Sequence, residues 1–486
     1  MPLTSLSTNL LAASATSAFV LRSYGASLSS IATCVALKVL AILLHRRPSP
    51  SLTVQDRCLI NIDRLSQRQQ PGSAMITVVM YFSPGKMPSP AIVRAALEGA
   101  ITQFPRFSSL AIETPSIDAA EWHAVKVDLA QHVVEHKPLT GCAELEAQLN
   151  ELANTDLPRS RPLWMLDIVP VSGDGSLGGC VVMRASHAMA DGLRLVGAAG
   201  AFLCASDGSP ARLEILARMA KNKLSMPRPP PLALAKDFIE AATLDQLRNE
   251  DKTCFHEPGS LFPRRNRRST VSAWVSMTDV KGIKAASPAG TTINDVVLCA
   301  FIGAVRRYAA AVGSPLAKDT LLRALCVVSL PDESHRKPGD LYNNFIMPSI
   351  VLPIGPDTRA ERLDAVRAVM HATKSSAAGF FMGQLLTVAA RLGLDAMVGA
   401  TQNKVFSKHA FVYSNMPGFE RTVHLFGTDH PVDRFAVYNP NMVSQCFFLS
   451  YRGELCFSLS TDAATVEQPS LLVDSFAAEI KEWSAA

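Results

Sequence analysis

The chain has 486 residues, of which 48% are hydrophobic and 18% are charged, and its formal net charge at pH 7 is +5. This length suits two or three domains, and this composition excludes a largely disordered chain. The modest positive charge argues against a nucleic-acid-binding protein, whereas the mean hydropathy of +0.16 indicates contact with lipid or an apolar internal channel.

The first predicted element is an apolar N-terminal segment, in which no acidic residue precedes Asp56. The segment contains two apolar stretches. Only the second, at 26–44, is long enough for a membrane-spanning helix, which needs about 20 mostly apolar residues. The basic cluster that follows would hold the remainder of the chain in the cytosol. We therefore expect residues 1–52 to anchor the protein, most simply at the endoplasmic reticulum. An organelle transit peptide, for example to a plastid, is the alternative, because the segment is Ser-rich and free of acidic residues.

The first half of the chain then shows strand and helix patterns. Residues 74–82 are rich in β-branched and aromatic side chains and predict a buried strand. Residues 89–104 predict an amphipathic helix, because the Ser-Pro pair at its start is a good N-cap and first turn. Two further strands are predicted at 166–171 and 179–186.

The segment between these two strands contains a Gly-x-Gly-x-x-Gly pattern, formed by Gly173, Gly175 and Gly178. A dinucleotide site needs a helix directly after the glycines, so that the helix N-terminus faces the pyrophosphate. A strand follows here instead. We therefore expect a hairpin turn and no dinucleotide cofactor.

The strand at 179–186 leads into a loop that contains His187, Asp191 and Gly192. Such a loop presents a side chain to a cleft while holding it rigidly. Histidine suits a general base because its unperturbed pKa is about 6.5, and Gly192 permits a sharp turn after the aspartate. Alone, the pattern is more often a histidine packed in the core. A metal site and an α/β-hydrolase are disfavoured, because the chain has no His-Glu-x-x-His, Cys/His cluster or Gly-x-Ser-x-Gly motif.

A basic, proline-rich stretch at 218–237 and a polar stretch at 249–268 predict a long connection between two halves. Strands and helices follow it. The predicted strands are 270–275, 322–330, 346–352, 409–414, 442–451 and 454–459. The predicted helices are 278–286, 294–312 and 358–375, the last with a capping box. We infer two α/β sub-domains of similar size.

An asparagine–aspartate pair, Asn294 and Asp295, stands at the start of the long helix of the second half. Alone, such a pair is most often a helix cap. The functional interpretation is that the pair faces the same cleft as His187, from the opposite half.

Several motifs, taken in order, resemble the wax ester synthase/diacylglycerol acyltransferase family, which belongs with the chloramphenicol acetyltransferase-like, CoA-dependent acyltransferases. The segment 187–192 is similar to the family's His-His-x-x-x-Asp-Gly motif, with Ser186 in place of the first histidine. Phe419 also stands where the family usually has proline. The other similar segments are 104–107 (FPRF), 161–164 (RPLW), 294–298 with 306–308, 413–418 (YSNMPG), 450–453 and 461–462. The resemblance runs from about Thr53 to the end of the chain.

The resemblance implies a fold and a mechanism. Two chloramphenicol acetyltransferase-like sub-domains, with mixed sheets and flanking helices, would meet along a central tunnel that admits acyl-CoA and an alcohol from opposite sides. His187 would take the hydroxyl proton as the oxygen attacks the thioester, and Asn294 would donate to the oxyanion. Asp191, Gly192 and Asp295 would support the site, with Asp191 holding its loop through an arginine.

The implied reaction esterifies a long-chain fatty alcohol or diacylglycerol, giving wax ester or triacylglycerol, and the sequence does not decide between these acceptors. Acyl-CoA is a substrate, and no cofactor, metal ion or covalent enzyme intermediate is expected. A membrane or lipid-droplet surface is an expected partner, and nucleic acid is not. The basic run of Arg264, Arg265, Arg267 and Arg268 is a candidate contact for CoA phosphates or anionic lipid, although a solvated linker is slightly favoured.

The expected organisation is an N-terminal segment at 1–52, a first acyltransferase half at 53–215, a crossover linker at 216–268 and a second half at 269–486. One alternative is a membrane-anchored lipid-binding protein of the same fold without turnover, which the intact His187, Asp191 and Asn294 disfavour. A second is an acyltransferase for another alcohol. A third, peptide condensation on carrier-bound substrates, is disfavoured because no carrier-like domain adjoins.

Overall fold

The structure is a computed structural model, which describes residues 52–61, 74–114, 116–173, 175, 177–213, 237, 251–256, 268–330, 340–439 and 443–486. The predicted N-terminal anchor therefore lies outside the described residues, apart from Leu52, and so does most of the predicted linker. Within the described ranges, no helix combines the length and the apolar character needed to cross a membrane.

Strands and helices alternate through the described residues. The strands are β1 (Met75–Phe82), β2 (Ser109–Ile112), β3 (Glu121–Ala124), β4 (Val133–Glu135), β5 (Trp164–Pro170), β6 (Gly179–Ser186), β7 (Leu203–Cys204), β8 (Arg268–Ser276), β9 (Arg323–Cys326), β10 (Val328–Ser329), β11 (Phe345–Ile346), β12 (Ser349–Val351), β13 (Phe411–Met416), β14 (His424–Leu425), β15 (Arg434–Tyr438), β16 (Ser444–Tyr451) and β17 (Glu454–Asp462). The helices are α1 (Val54–Ile60), α2 (Pro90–Ala100), α3 (Cys142–Asn154), α4 (Gly192–Ala198), α5 (Met277–Ala286), α6 (Ile293–Ala311), α7 (Arg359–Ser375), α8 (Ala378–Arg391), α9 (Asp395–Phe406) and α10 (Pro469–Ser484).

Four strands of the first half form a five-stranded mixed sheet with one strand of the second half. The spatial order is β15-β1-β6-β5-β4, in which β4 runs parallel to β5 and the other pairs are antiparallel. Strands β5 and β6 pair up to Pro170 opposite Gly179. The glycine-rich segment between them is therefore a hairpin connection, as predicted, and does not lead into a helix.

The second half is built on a six-stranded mixed sheet in the order β12-β9-β13-β16-β17-β8. Strand β13 is parallel to both of its neighbours, β9 and β16. Helix α6 packs on this half with α7 and α10, and its residues from Val296 to Val305 are buried without interruption. Such an all-round apolar helix is typical of a core element. A short pair, β7 with β14, also joins the two halves.

Most predicted elements are present, and the differences come from strands that change partners. The predicted strand at 322–330 is divided into β9, which pairs within the large sheet, and β10, which pairs with β11. The predicted strand at 346–352 is divided in the same way. The predicted helix at 89–104 ends as an α-helix at Ala100, before two short 3-10 turns. Helices α1, α3, α4, α8, α9 and α10 were not predicted.

A large cavity of about 1810 Å³ lies between the two halves. Residues of the first sheet, such as Val78 and Met183, line one part of it. Residues of β13 and of helix α8 line other parts. Most of the lining side chains are apolar, so the two halves share a largely apolar cavity.

Candidate active site

His187 is the first residue of a tight turn that follows β6. Its backbone N–H donates to the carbonyl of Ala74 at 2.7 Å, which fixes the turn to the start of β1. The buried Ser186 hydroxyl accepts a hydrogen bond from the backbone N–H of Ala188 at 3.2 Å. Ser186, at the position of the family's first histidine, therefore stabilises the backbone of the turn, and the His187 ring lines the cavity.

Asn343 contacts both the ring and the backbone of His187. The oxygen of its side chain, Oδ1, lies 2.9 Å from Nδ1 of the His187 ring. Its Nδ2 donates to the His187 carbonyl at 2.8 Å and to Oδ1 of Asp56 at 2.8 Å. Asn343 is fully buried, so this contact with the ring is formed inside the protein rather than at the cavity surface.

Asp56, on α1, is fully buried and is paired with Arg106. Two guanidinium nitrogens of Arg106 lie 2.7 and 3.1 Å from the two carboxylate oxygens. Arg106 also donates to the carbonyls of Ala188 and Met189, at 3.1 and 2.8 Å. One ion pair therefore connects helix α1 to the turn that contains the histidine.

The pKa of His187 is lowered from its ordinary value, chiefly because the ring lies deep in the protein where the charged form is poorly solvated. The carboxylates of Asp191 and Asp56 and the hydrogen bond to Asn343 oppose this effect and raise the pKa. The ring is therefore neutral near pH 7, which is the form that accepts a proton.

Asp191 contacts an arginine and two backbone N–H groups. Its Oδ2 lies 2.6 Å from Nη1 of Arg194 and accepts from the N–H of Asn344 at 2.9 Å. Its Oδ1 caps α4 by accepting from the N–H of Arg194 at 3.1 Å. These contacts are those of a residue that holds the loop, which is the role that the family resemblance implies.

Gly192 does not form the sharp turn expected of it. It is the first residue of α4, its φ is not positive, and the turn lies at 187–189. A Cβ added at Gly192 would lie 3.5 Å from the sulfur of Met416, an ordinary contact distance. The expectation was wrong because the N-cap geometry of Asp191, with extended backbone, already redirects the chain.

The Asn294–Asp295 pair divides into two roles. Asp295 is buried and completes the capping box of α6, since its Oδ2 accepts from the N–H of Thr292 at 2.8 Å. Asn294 lines the same cavity as His187. Its Oδ1 accepts from the Tyr413 hydroxyl at 3.1 Å and from Nδ2 of Asn415 at 3.0 Å. The structure thus brings His187 and Asn294 to one cavity, and Asp295 stays in the helix cap.

The basic run of the predicted linker is not placed at this site. Arg264, Arg265 and Arg267 lie outside the described residues, and Arg268 begins the edge strand β8 with its backbone opposite Asp462. Its role in contacting CoA or lipid stays a prediction. Across the described ranges, no group of three or more His, Cys, Asp or Glu side chains is arranged to hold a metal ion.

Asp56 and Asn343 contact the site without having been predicted as site residues. They are separated by 287 residues, so no local spacing connects them. The available signals were weak: Asp56 is the first acidic residue of the chain, and Asn343 begins an Asn-Asn pair before β11. Arg106, Tyr413 and Asn415 lie in segments that resemble the family, although no role was assigned to them.

Family models match each half of the chain. The model described as the wax ester synthase/diacylglycerol acyltransferase catalytic domain matches residues 74–248. The model described as the WS/DGAT C-terminal domain matches residues 342–483. Both models describe one family, and together they span most of the chain. His187 and Asn343 lie within the matches, whereas Asn294 lies between them.

Individual relatives agree with the family models. A Mycobacterium bovis protein named as a diacylglycerol O-acyltransferase is 27% identical over 397 residues, which cover 73% of this chain and 75% of that protein. Wax ester synthase/diacylglycerol acyltransferase 3 of Arabidopsis thaliana is 22% identical over 435 residues, which cover 79% of this chain and 85% of that protein.

A solved structure bears on the fold. The wax ester synthase/diacylglycerol acyltransferase from Marinobacter aquaeolei VT8 matches with a TM-score of 0.58 at 16% identity, covering 90% of this chain and 99% of that one. The predicted fold of two chloramphenicol acetyltransferase-like sub-domains with mixed sheets and flanking helices is confirmed.

Proposed function

This chain belongs to the wax ester synthase/diacylglycerol acyltransferase family and is an O-acyltransferase, and we propose that it transfers a long-chain acyl group from acyl-CoA to a fatty alcohol, to diacylglycerol, or to both. The main support is that His187 and Asn294, from opposite halves, line one apolar cavity of about 1810 Å³. Pockets for drug-sized ligands usually measure about 300–1,000 Å³. The larger volume suits two long hydrocarbon chains that meet at the histidine.

The proposed reaction is a direct transfer between the two substrates. Nε2 of His187 takes the proton of the acceptor hydroxyl while the oxygen forms a bond to the thioester carbon. The oxyanion that results accepts a hydrogen bond from Nδ2 of Asn294. When the intermediate collapses, the carbon–sulfur bond breaks and the CoA thiolate takes the proton from the His187 imidazolium. The histidine returns to its neutral form, and no cofactor takes part.

We also propose that the protein acts at a membrane or lipid-droplet surface. Its acceptors and products are water-insoluble, and the apolar stretch at 26–44 is followed by the basic residues His45, Arg46 and Arg47. By the positive-inside rule, this order favours an anchor with the catalytic part in the cytosol, for example at the endoplasmic reticulum. An organelle transit peptide is the alternative.

The test is an acyl-transfer assay with labelled palmitoyl-CoA, in which hexadecanol and diacylglycerol are offered in parallel. We expect labelled ester with at least one acceptor. His187→Ala should lower its rate at least about 10²-fold while leaving the protein folded, since loss of a general base typically costs 10²–10⁴-fold. The matched control is His371→Ala, because His371 is exposed on α7 and does not line the cavity.

Two outcomes would contradict parts of this proposal. Retained transfer by purified His187→Ala would remove His187 as the base. Absence of ester with both acceptors, from protein that binds acyl-CoA, would reject these substrates in favour of another alcohol acceptor.

A further inference from the structure

Asp56, Asn343 and His187 form a hydrogen-bonded chain that approaches the reacting ring from the protein interior. Asp56 is on α1, Asn343 precedes β11, and His187 follows β6, so the three residues come from distant parts of the sequence. Both Asp56 and Asn343 are fully buried. Asn343 also uses its backbone N–H to contact Asp56, at 2.9 Å. Several short contacts thus define one arrangement of these groups.

The partners of Asn343 determine the direction of each hydrogen bond. Its Nδ2 faces the Asp56 carboxylate and the His187 carbonyl, which can only accept hydrogen bonds from it. The other side-chain atom must therefore be the oxygen, and an amide oxygen can only accept. It follows that Nδ1 of His187 donates to Asn343. The neutral ring then has its lone pair on Nε2, the atom that the transfer requires.

The negative charge of Asp56 stabilises the His187 ring when the ring is protonated. Arg106 pairs with this carboxylate and holds the carbonyls of Ala188 and Met189, so the charge is fixed in place relative to the turn. The other carboxylate that acts on the ring, that of Asp191, is paired with Arg194. Proton transfer places a positive charge on the His187 ring, and the Asp56 carboxylate attracts that charge through the short amide bridge.

We propose that Asn343 and Asp56 are positioning residues, which hold His187 as the Nδ1–H tautomer and stabilise its imidazolium during acyl transfer. In a catalytic triad, an acidic residue that is hydrogen-bonded directly to the histidine ring has this role, and here the Asn343–Asp56 pair has it. Asp191, although it lies within the motif, acts on the ring only through space, because its hydrogen bonds go to Arg194 and to the backbone N–H of Asn344. This proposal rests on the proposed acyl transfer, and its test includes a measurement that does not depend on that reaction.

The test compares Asn343→Ala and Asp56→Asn with the wild type. We expect kcat for acyl transfer to fall about 10²-fold in Asn343→Ala. Both Asn343 and Asp56 raise the pKa of His187. Each variant should therefore lower that pKa, and the acid limb of the kcat/KM profile should move to lower pH. A residue that merely maintained the fold would leave this limb unchanged. If Asn343→Ala does not fold, Asp56→Asn still provides the test, because the single amide oxygen of asparagine there can accept from Nη1 of Arg106 and from Asn343.

The pH dependence of His187 carbethoxylation by diethyl pyrocarbonate, followed by mass spectrometry of its peptide, reports the same pKa without any acceptor alcohol. An unshifted carbethoxylation profile in both variants would overturn the positioning role. If the wild type transfers no acyl group but the variants shift the carbethoxylation profile relative to it, the proposed function alone would be overturned.

The matched control is Asn61→Ala. Asn61 is fully buried at the end of the same helix α1, and its amide contacts the Arg57 carbonyl and the Thr114 N–H at 2.9 and 3.2 Å. It does not line the cavity. We expect Asn61→Ala to lower the melting temperature while both pH profiles stay at wild-type positions. A shift equal to that of Asn343→Ala would show that general loosening of α1 explains the result.

Discussion

The amide of Asn294 is held in one orientation by β13. The Tyr413 hydroxyl and Nδ2 of Asn415 both donate to its Oδ1. Burial raises the pKa of Tyr413 well above its ordinary value, so the phenol keeps its proton and remains a donor. In the described part of the chain, Nδ2 of Asn294 has no hydrogen-bond partner. A donor that is already fixed before the substrate binds is what stabilisation of an oxyanion requires.

We predict that Asn294→Ala lowers kcat about 10²- to 10³-fold, because loss of one oxyanion donor has this effect in other enzymes. Tyr413→Phe removes an orienting hydrogen bond but keeps the amide, so its loss should be smaller. Steady-state kinetics at saturating palmitoyl-CoA give kcat, and titration with a non-transferable acyl-CoA thioether gives the affinity. Asn294→Ala with wild-type kcat would exclude the amide as the oxyanion donor.

The sequence predicted the two cavity-lining groups of the site and missed the residues behind one of them. His187 and Asn294 each stand in a local pattern, at a strand end and at a helix start. Asn343 contacts His187 across 156 residues, and a single asparagine or aspartate has no periodicity to indicate its partner. Only the pairing of the sheets and the docking of α1 bring Asp56 and Asn343 together, and neither can be inferred from local spacing.

At the element scale, the loop from β6 to α4 is attached to the second half by hydrogen bonds of Asp191 and Arg194. Arg194, on α4, pairs with Asp191 and donates to the Leu330 carbonyl at 3.0 Å. Its guanidinium also lies 4.3 Å from the centre of the Tyr342 ring. The position of His187 therefore depends on contacts that cross between the halves.

We predict that Asp191→Ala lowers the free energy of unfolding by about 3–5 kcal/mol, because it leaves the buried Arg194 without its carboxylate. Turnover per folded molecule should fall, since the loop loses its attachment. The pKa of His187 should still determine the acid limb of the pH profile of the remaining activity. Chemical denaturation gives the stability, and pH-dependent kinetics give the limb.

The double variant Asp191→Ala/Arg194→Met is the control for this prediction. Replacing both members of a buried ion pair usually restores much of the stability that is lost with one member. If the double variant is no more stable than Asp191→Ala, the ion pair is not the cause of the loss.

Elements with strong local signals were predicted well, and elements defined by tertiary contacts were not. Strand β6 was predicted with its observed bounds, and α6 and α7 to within one residue, because a buried run or a capping box determines each of them locally. The division of 322–330 into β9 and β10 was missed, since it depends on which strand lies alongside. Strand β15 was missed for a similar reason, because it completes a sheet whose other strands lie far away in the sequence.

At the scale of the whole molecule, we predict that the full chain sediments with membranes and that deletion of residues 1–47 releases it. The deleted part contains the 26–44 stretch that predicts the anchor, whereas the described residues start at Leu52. Fractionation of cell extracts by ultracentrifugation, followed by immunoblotting, measures the distribution.

The truncated protein should keep acyl transfer, because Asp56, the first residue of the site, remains present. Its activity on detergent-dispersed substrates is the control for folding. A truncated chain that still sediments with membranes would contradict the anchor and locate membrane binding elsewhere.

Strand β15 of the second half is the edge strand of the first half's sheet, and β14 pairs with β7 nearby. The two halves therefore share β-sheet hydrogen bonds, and they cannot separate without breaking these bonds. Long-chain substrates and their ester product must then enter and leave the cavity while the two halves stay joined. The limit on turnover of very long chains should therefore not be a hinge motion between the halves.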